Sequence, residues 1–165
     1  MPPKGAERFA AEAAKLGLSP EIRRFPEETR TAEDAARAIG CSVGQIVKSL
    51  VFVADGEAFL ALTSGSNQAD MDRMAEALGA QAVRRADPET ARVATGFAIG
   101  GTPPFGHPRR LRTLVDRDLL DYQVVWAAAG APDAVFPISP QDLVRVSGGA
   151  PAAFKKLVRI KLDLQ

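Results

Sequence analysis

The chain has 165 residues, about the length of one domain and enough to bury a hydrophobic core without disulfides or metals. Its 21 basic and 20 acidic residues leave a formal net charge of +1, so the composition does not predict tight nonspecific binding to nucleic acid. A single cysteine excludes an internal disulfide, and with a single histidine it argues against a Cys/His zinc cluster.

No apolar run approaches the roughly 20 residues that a membrane-spanning helix needs, and the first residues lack the apolar core of a signal peptide. We therefore expect one domain spanning residues 1–165, cytoplasmic, with no membrane contact, no metal and no other cofactor.

The first part of the chain predicts two helices, a short strand and a helical turn. An amphipathic helix is predicted over Glu7–Leu16, followed by a short strand over Ile22–Phe25. Thr31 is a good N-cap for a second helix, Ala32–Ile39, whose first turn carries acidic residues. Ser42–Gln45 fits a capping box, which predicts a helical turn just before the strongest strand signal.

That strand signal is Ile46–Val53, a short run rich in β-branched and apolar residues. The turn residues Asp55 and Gly56 connect it to a second apolar run, Ala58–Thr63, so a β-hairpin is predicted. Because side chains alternate between the two faces of a strand, Lys48 falls on a face that is otherwise apolar. Burying an unpaired charge is costly, so this lysine requires an explanation.

The middle of the chain predicts a polar loop at Ser64–Asn67, two helices and a long irregular segment. The predicted helices are Asp70–Leu78 and Pro88–Ala94, with a weak strand at Ala82–Arg84 between them. The next segment, Thr95–Pro108, has four glycines and three prolines and cannot form regular structure. Long irregular loops in compact domains are often functional, which makes this segment a candidate.

The last part of the chain predicts strands that alternate with helices. The predicted elements are a strand at Leu114–Val115, a helical turn at Arg117–Leu120, strands at Val124–Ala128 and Ala134–Ile138, a helix at Pro140–Val144 and a basic amphipathic helix at Pro151–Leu164. Trp126 is interpreted as a core residue. Hairpins with interspersed helices predict an α/β or α+β fold, a mixed sheet flanked by helices.

Two segments carry candidate chemistry, and each has a structural and a functional interpretation. Lys48 either packs its stem and extends its ammonium to water, or directs a partly buried ammonium into a cleft. Gly100 and Gly101 belong either to a surface connection or to a stiffened loop whose backbone N–H groups bind an anion. The loop is not a P-loop, because no Gly-Lys-Ser/Thr follows.

Basic and titratable residues follow this loop. His107 is the only histidine, and with no acid–base partner visible in the sequence it is interpreted as a substrate contact. Arg109, Arg110 and Arg112 are typical of a solvated face, although beside a cleft they would meet the phosphates of a nucleic acid.

Three segments, in this order and spacing, resemble the YbaK family, the free-standing relatives of the prolyl-tRNA synthetase editing domain: Ile46–Phe52, Gly100–Gly106 and Val125–Gly130. The resemblance extends from about Thr29 to about Gly149. It implies an α/β domain with a mixed, partly barrel-like sheet. It also implies trans-editing, the hydrolysis of the ester between a wrong amino acid and the 3′-terminal adenosine of tRNA, with help from the tRNA's own 2′-hydroxyl. The implied partners are mischarged tRNA and, as a further candidate, an aminoacyl-tRNA synthetase.

The resemblance assigns the family's active-site lysine to Lys48 and its Gly-x-x-x-Pro loop to Gly100–Pro104. We therefore predict that Lys48 is catalytic and that its ammonium points into a pocket rimmed by this loop. The predicted substrate-binding residues are Gly100, Gly101, Thr102, Pro103, Pro104, Phe105, Gly106, His107, Thr31 and Ser64. The predicted tRNA contacts are Arg109, Arg110 and Arg112.

The loop departs from the cysteine-specific branch of the family, because Thr102 and Pro103 stand where that branch typically carries Cys-Ser before the proline. The amino acid removed is thus left open among alanine, cysteine, serine and threonine, with Phe105 and His107 expected to shape the pocket. Two alternatives remain: a catalytically silent module that binds tRNA or a synthetase, and an enzyme that forms a Schiff base on Lys48 with a small carbonyl compound.

Overall fold

The computed structural model of the protein describes residues 4–26 and 31–158. The helices in these ranges are α1 (Gly5–Lys15), α2 (Ala32–Ile39), α3 (Met71–Leu78), α4 (Pro88–Thr95) and α5 (Pro140–Ser147). The strands are β1 (Arg23–Arg24), β2 (Val47–Ala54), β3 (Glu57–Ser64), β4 (Val83–Arg85), β5 (Arg112–Asp116), β6 (Val125–Ala128), β7 (Ala134–Ile138) and β8 (Ala150–Ala152). Two 3₁₀ turns lie at Val43–Gln45 and Arg117–Asp121. None of the described helices is long and apolar enough to cross a membrane.

Side-chain caps fix where α2, α3, α4 and α5 begin. The hydroxyl of Thr31 accepts a hydrogen bond from the backbone N–H of Asp34 at 3.0 Å and starts α2. That helix ends at Gly40, whose φ of 87° lies in the left-handed region that glycine adopts without strain. Asp87 and Ser139 start α4 and α5 in the same way, each followed by a proline. These boundaries confirm the predicted helix starts, because capping depends only on neighbouring residues.

The strands form two sheets. The larger has the order β4-β2-β3-β5-β8, and the smaller has the order β1-β7-β6. β2 and β3 form the predicted hairpin, with Val47 opposite Ser64 and Ala54 opposite Glu57. The pairs β3–β5 and β5–β8 are parallel, so the larger sheet is mixed. This confirms the predicted α/β architecture, but the described strands form two open sheets and do not close into a barrel.

A gap opens where the two sheets meet. β4 pairs with β2 only from Phe52 to Ala54. At its other end β2 approaches β6, where the described residues form an isolated parallel bridge between Ile46 and Trp126. Residues 47–50 of β2 therefore have no pairing partner on β4, and on the side of β6 the only bridge is the one at Ile46 among the described residues. The candidate site lies along this part of the strand.

Aromatic rings organise the two main hydrophobic clusters. Phe9 of α1 packs against Phe105 and Phe136, with ring centroids 5.2 and 4.7 Å away, and this cluster joins α1 to the three-stranded sheet. On the other side of the larger sheet, Phe52 and Phe59 stack at 5.8 Å under α3. The larger sheet is thus covered on both faces, which explains the apolar character of both sides of β2.

The prediction of a C-terminal helix over Pro151–Leu164 is wrong in its described part. The segment runs extended, forms β8 beside β5, and buries Phe154 completely. The carbonyl of Phe154 accepts the backbone N–H of Asp70, so the segment is tied by backbone hydrogen bonds on two sides. Pairing covers the edge of β5, which a helix would leave exposed. The remainder of that prediction, residues 159–164, lies outside the described residues.

We expect Phe9→Ala to lower the free energy of unfolding by about 3–5 kcal/mol, because Phe9 is fully buried and its removal leaves a cavity between α1 and the sheet. Urea unfolding followed by circular dichroism measures this loss. Val93→Ala is the matched control, since Val93 is 68% exposed on α4 and its truncation removes little packing. Equal losses for the two variants would contradict this account of the core.

Candidate functional site

Lys48 lines a cavity of about 340 Å³ between β2, α2 and the three-stranded sheet. Its volume lies at the lower end of the range for small-molecule sites, about 300–1,000 Å³. Most of the wall consists of small apolar side chains. These include Ala35, Ala127, Ala128, Ala134 and Val135. The cavity therefore accommodates a small group.

The side chain of Lys48 is half-buried in this wall. Its Nζ donates a hydrogen bond of 2.5 Å to the backbone carbonyl of Asn67. Burial lowers the pKa of Lys48, and the negative charges of Glu33 and Asp116 oppose this shift by raising the pKa. The positive charge of Arg85 lowers the pKa further. The ammonium is thus held by a backbone carbonyl of the protein and is not simply extended into water.

A network of polar side chains anchors the group that Lys48 contacts. The side-chain amide of Asn67 donates to Asp116 at 2.9 Å and to Asp118 at 2.8 Å. Asp116 is 2% exposed, whereas Asp118 also accepts a hydrogen bond from Lys155 at 2.8 Å. The hydrogen bonds from Lys155 and then Asn67 lower the pKa of Asp118. Asn67 is thereby fixed from behind, and so is the carbonyl that faces Lys48.

Among the described residues, no group of three or more His, Cys, Asp or Glu side chains is arranged to hold a metal ion. The acidic pair of this network is instead satisfied by N–H donors, which is the usual arrangement for buried polar groups.

The glycine-rich loop reaches the same cavity through Gly100 and Thr102. Gly101 packs behind them, and a β-carbon there would lie 2.8 Å from the Cα of Ala131. The N–H of Gly101 donates to the carbonyl of Ala98 at 3.1 Å, so it is already used within the loop. The N–H groups of Gly100 and Thr102 donate to no other described residue and remain the loop's candidate donors.

The structure brings together some of the predicted site residues. Lys48, Thr31, Gly100 and Thr102 all line the cavity, and Pro103 follows directly. Ser64 lies outside the lining, buried, with its hydroxyl donating to the carbonyl of Gly44 at 2.7 Å. It supports the turn that carries Asn67.

The second half of the loop points elsewhere. Phe105 is 4% exposed and belongs to the core around Phe9. The Nε2–H of His107 donates to the carbonyl of Pro103 at 2.8 Å, since a carbonyl can only accept. Together with Pro104 and Gly106, these residues border a separate cavity against α1 and α5. The structure therefore does not place Phe105 or His107 where they would shape the Lys48 cavity.

The three predicted tRNA contacts also lie away from Lys48. Arg109, Arg110 and Arg112 border surface depressions beside β3, α4 and β8 and do not line the Lys48 cavity. These arginines were expected beside the cavity because they follow the glycine-rich loop in the sequence. The direction of the chain after Gly106 cannot be predicted from composition.

Among the lining residues that were not predicted from the sequence, Trp126 carries an aromatic ring and Ser49 a hydroxyl, and the rest are apolar. Trp126, interpreted as core, is only half-buried and forms part of the cavity wall. The hydroxyl of Ser49 is buried in the same wall and has no hydrogen-bond partner among the described residues. The signal available for Ser49 was its pattern: it carries the one hydroxyl among the valines that share its face of β2. No local signal distinguishes a tryptophan in a cavity wall from one in a core.

Comparisons with known proteins agree on one family. The family model described as the aminoacyl-tRNA editing domain matches residues 26–146. The uncharacterised protein YwhH of Bacillus subtilis is 30% identical over 128 residues, which cover 77% of this chain and 81% of YwhH. EbsC of Enterococcus faecalis, a candidate Cys-tRNA(Pro)/Cys-tRNA(Cys) deacylase, is 24% identical over 126 residues, 76% of this chain and 77% of EbsC.

A solved structure described as a candidate trans-editing enzyme for prolyl-tRNA synthetase superposes with a TM-score of 0.89 at 42% sequence identity. The match covers 95% of this chain and 100% of that one.

We expect Asp116→Asn to lower the pKa of Lys48 further, because the substitution removes a negative charge that raises it. The pH dependence of Lys48 acetylation, followed by mass spectrometry, measures this pKa. Asp118→Asn is the matched control, since Asp118 pairs with Lys155 and not with Lys48. The same Lys48 pKa in wild type and Asp116→Asn, with the fold intact by circular dichroism, would contradict the assignment.

We expect the free energy of unfolding to decrease as the pH falls below 6.5, the ordinary pKa of histidine, because burial lowers the pKa of His107 in the folded state. The unfolded chain then takes up the proton first and is stabilised. Urea unfolding between about pH 5 and pH 8 measures the trend. His107→Gln should flatten the part of the curve due to this group, and an unchanged slope would refute the effect.

Proposed function

The chain belongs to the aminoacyl-tRNA editing domain family and is a hydrolase of aminoacyl-tRNA ester bonds, and we propose that it removes a small mischarged amino acid from tRNA in trans at the Lys48 cavity. One observation carries the proposal. Lys48, whose side chain is half-buried, and Gly100 of the glycine-rich loop line the same small cavity, and this proximity supports the proposal.

The cavity wall supports a small aminoacyl group. Its alanines and Val135 leave room for a short side chain, and Thr31 and Thr102 of the wall are the candidates for an uncharged polar contact. We propose alanine, cysteine, serine or threonine as the amino acid removed, and the apolar majority of the wall favours alanine. EbsC is named for cysteinyl substrates, so cysteine is the main competitor.

The chemistry requires little of the protein, because an aminoacyl ester is already activated toward water. Negative charge develops on the carbonyl oxygen during the attack, and donors directed at that oxygen stabilise it. Lys48 supplies a fixed positive charge, and the N–H groups of Gly100 and Thr102 are available as further donors. The ester C–O bond then breaks and the tRNA leaves with its 3′-end hydroxyl restored.

The proton acceptor for the attacking water is proposed to come from the substrate. No carboxylate or imidazole of the described residues lines the cavity, and Lys48 is a cation that cannot accept a proton. The ribose 2′-hydroxyl lies next to the ester in any aminoacyl-tRNA, and we assign it a relay: it accepts the proton of the attacking water while its own proton passes to the departing 3′-oxygen. Alignment of water, ester and hydroxyl by the cavity would provide the remaining rate enhancement.

The proposed partners are mischarged tRNA, bound through its 3′-terminal adenosine, and an aminoacyl-tRNA synthetase. The solved relative described as a trans-editing enzyme for prolyl-tRNA synthetase supports the second partner. A net charge of +1 agrees with weak and reversible binding of tRNA.

We expect Lys48→Ala to reduce deacylation about 10²–10³-fold, the usual effect of removing one donor to a developing oxyanion. The measurement is a panel of alanyl-, cysteinyl-, seryl- and threonyl-tRNA on several tRNA bodies. Lys15→Ala is the matched control, since the Lys15 side chain is 71% exposed on α1.

Binding of uncharged tRNA, measured in parallel, separates the alternatives. Retained binding with lost hydrolysis supports a role for Lys48 in the reaction. Tight tRNA binding by the wild type without hydrolysis of any substrate in the panel would instead support a silent binding module.

A further inference from the structure

A second cationic feature lies beside the Lys48 cavity, on the three-stranded sheet. Trp126 forms part of the cavity wall, and the guanidinium carbon of Arg23 lies 4.8 Å from the centroid of its ring. The strand register explains the contact, because Arg23 pairs with Val135 and Val135 pairs with Ala128. Ala128 and Trp126 lie two residues apart on β6 and share one face. One continuous face of the sheet therefore leads from the cavity wall to Arg23.

Arg23 carries a charge that no described carboxylate neutralises. It is exposed and forms no ion pair with any of the described residues, and it does not itself line the cavity. Its neighbour Arg24 differs, because that guanidinium contacts both carboxylate oxygens of Asp133 at 3.0 and 3.1 Å. Two adjacent arginines on β1 thus have different partners, one a carboxylate and the other an aromatic ring.

The aromatic contact orients Arg23 without using its hydrogen-bond donors. A guanidinium that stacks on an indole is held by one face, while the N–H groups at its edge remain free. Such an edge matches two oxygens of a phosphate. A planar cation beside a cavity, held by a residue of the cavity wall, is suited to a phosphate attached to the group inside.

We propose that Arg23, held on Trp126, binds the phosphate of the nucleotide whose ester enters the Lys48 cavity. This assignment rests on the proposed function, since it takes the 3′-terminal nucleotide of an aminoacylated RNA as the ligand. In this assignment the two cations, Arg23 and Lys48, have separate roles. Arg23 holds the phosphate outside, and Lys48 remains free to act on the ester carbonyl inside.

The protein contains a single tryptophan, so its fluorescence reports on this site alone. Adenosine 5′-monophosphate and adenosine are titrated separately while the emission of Trp126 is recorded, with inorganic phosphate as a third ligand. We expect the monophosphate to bind about tenfold more tightly than adenosine, because only it engages the guanidinium. Inorganic phosphate alone should bind more weakly than the monophosphate.

Arg23→Gln should abolish the preference for the monophosphate, whereas Arg24→Gln should preserve it. Arg24 is the matched control because it is equally exposed and adjacent but already paired with Asp133. Arg23→Lys keeps the charge and loses the planar stack, and should recover only part of the preference. Equal affinities for adenosine and its monophosphate in the wild type would overturn the proposal, as would equal losses in the two glutamine variants.

A second measurement uses intact tRNA. Arg23→Gln should raise the KM for the aminoacyl-tRNA with little change in kcat, and should reduce the slope of log affinity against log salt by about 0.7, the value for one contact to a single strand. An unchanged slope and KM would contradict the assignment. Nucleotide binding requires no ester. Loss of the monophosphate preference therefore tests the role of Arg23, whereas failure of deacylation tests the proposed function.

Discussion

The buried carboxylate of Asp116 ties together the segments that build the site. It accepts hydrogen bonds from the N–H of Ser64 at the end of β3, from the side chain of Asn67 and from the N–H of Asp118. A charge that is 2% exposed would be costly without such donors. With them, the turn after β3 has one conformation, and its carbonyl at Asn67 meets the ammonium of Lys48. The position of Lys48 thus depends on a group that does not line the cavity.

The cavity itself results from a mismatch between two sheets. β4 pairs with only one end of β2, and the bridge from Ile46 to Trp126 holds the other end. Between these two points the strand lies beside small side chains on β6 and β7 and beside the loop at Gly100. A full-length β4 would fill this space, and larger residues on β6 would close it. The cavity is therefore a property of strand length and side-chain size.

Local signals in the sequence predicted the elements that depend on neighbouring residues. The hairpin around Asp55 and the cap at Thr31 are examples, because turn and capping chemistry acts within four residues. The C-terminal segment failed for the opposite reason. Its extended conformation depends on β5 and on the burial of Phe154, partners that are distant in sequence. Periodicity alone favoured a helix there and contained no information about the sheet edge.

The family resemblance drew attention to Lys48 and the glycine loop, which line one cavity, but it did not distinguish residues that line a cavity from residues that hold it in place. Phe105 follows Gly101 closely and yet belongs to the core, because the chain turns inward after Thr102. Trp126 has the opposite position, with an aromatic ring at the surface of the cavity. Which side of a loop faces a ligand is set by the packing of the whole domain.

Glycines set the distance between three backbones behind the cavity. Gly101 packs against Ala131, and on the far side of that turn Gly130 packs against Gly5 at the start of α1. No side chain lies between these backbones, so they are in direct van der Waals contact. The turn also carries Pro132 into the cavity wall. The first helix supplies no lining residue among those described, but through these contacts it supports the wall of the Lys48 cavity from behind.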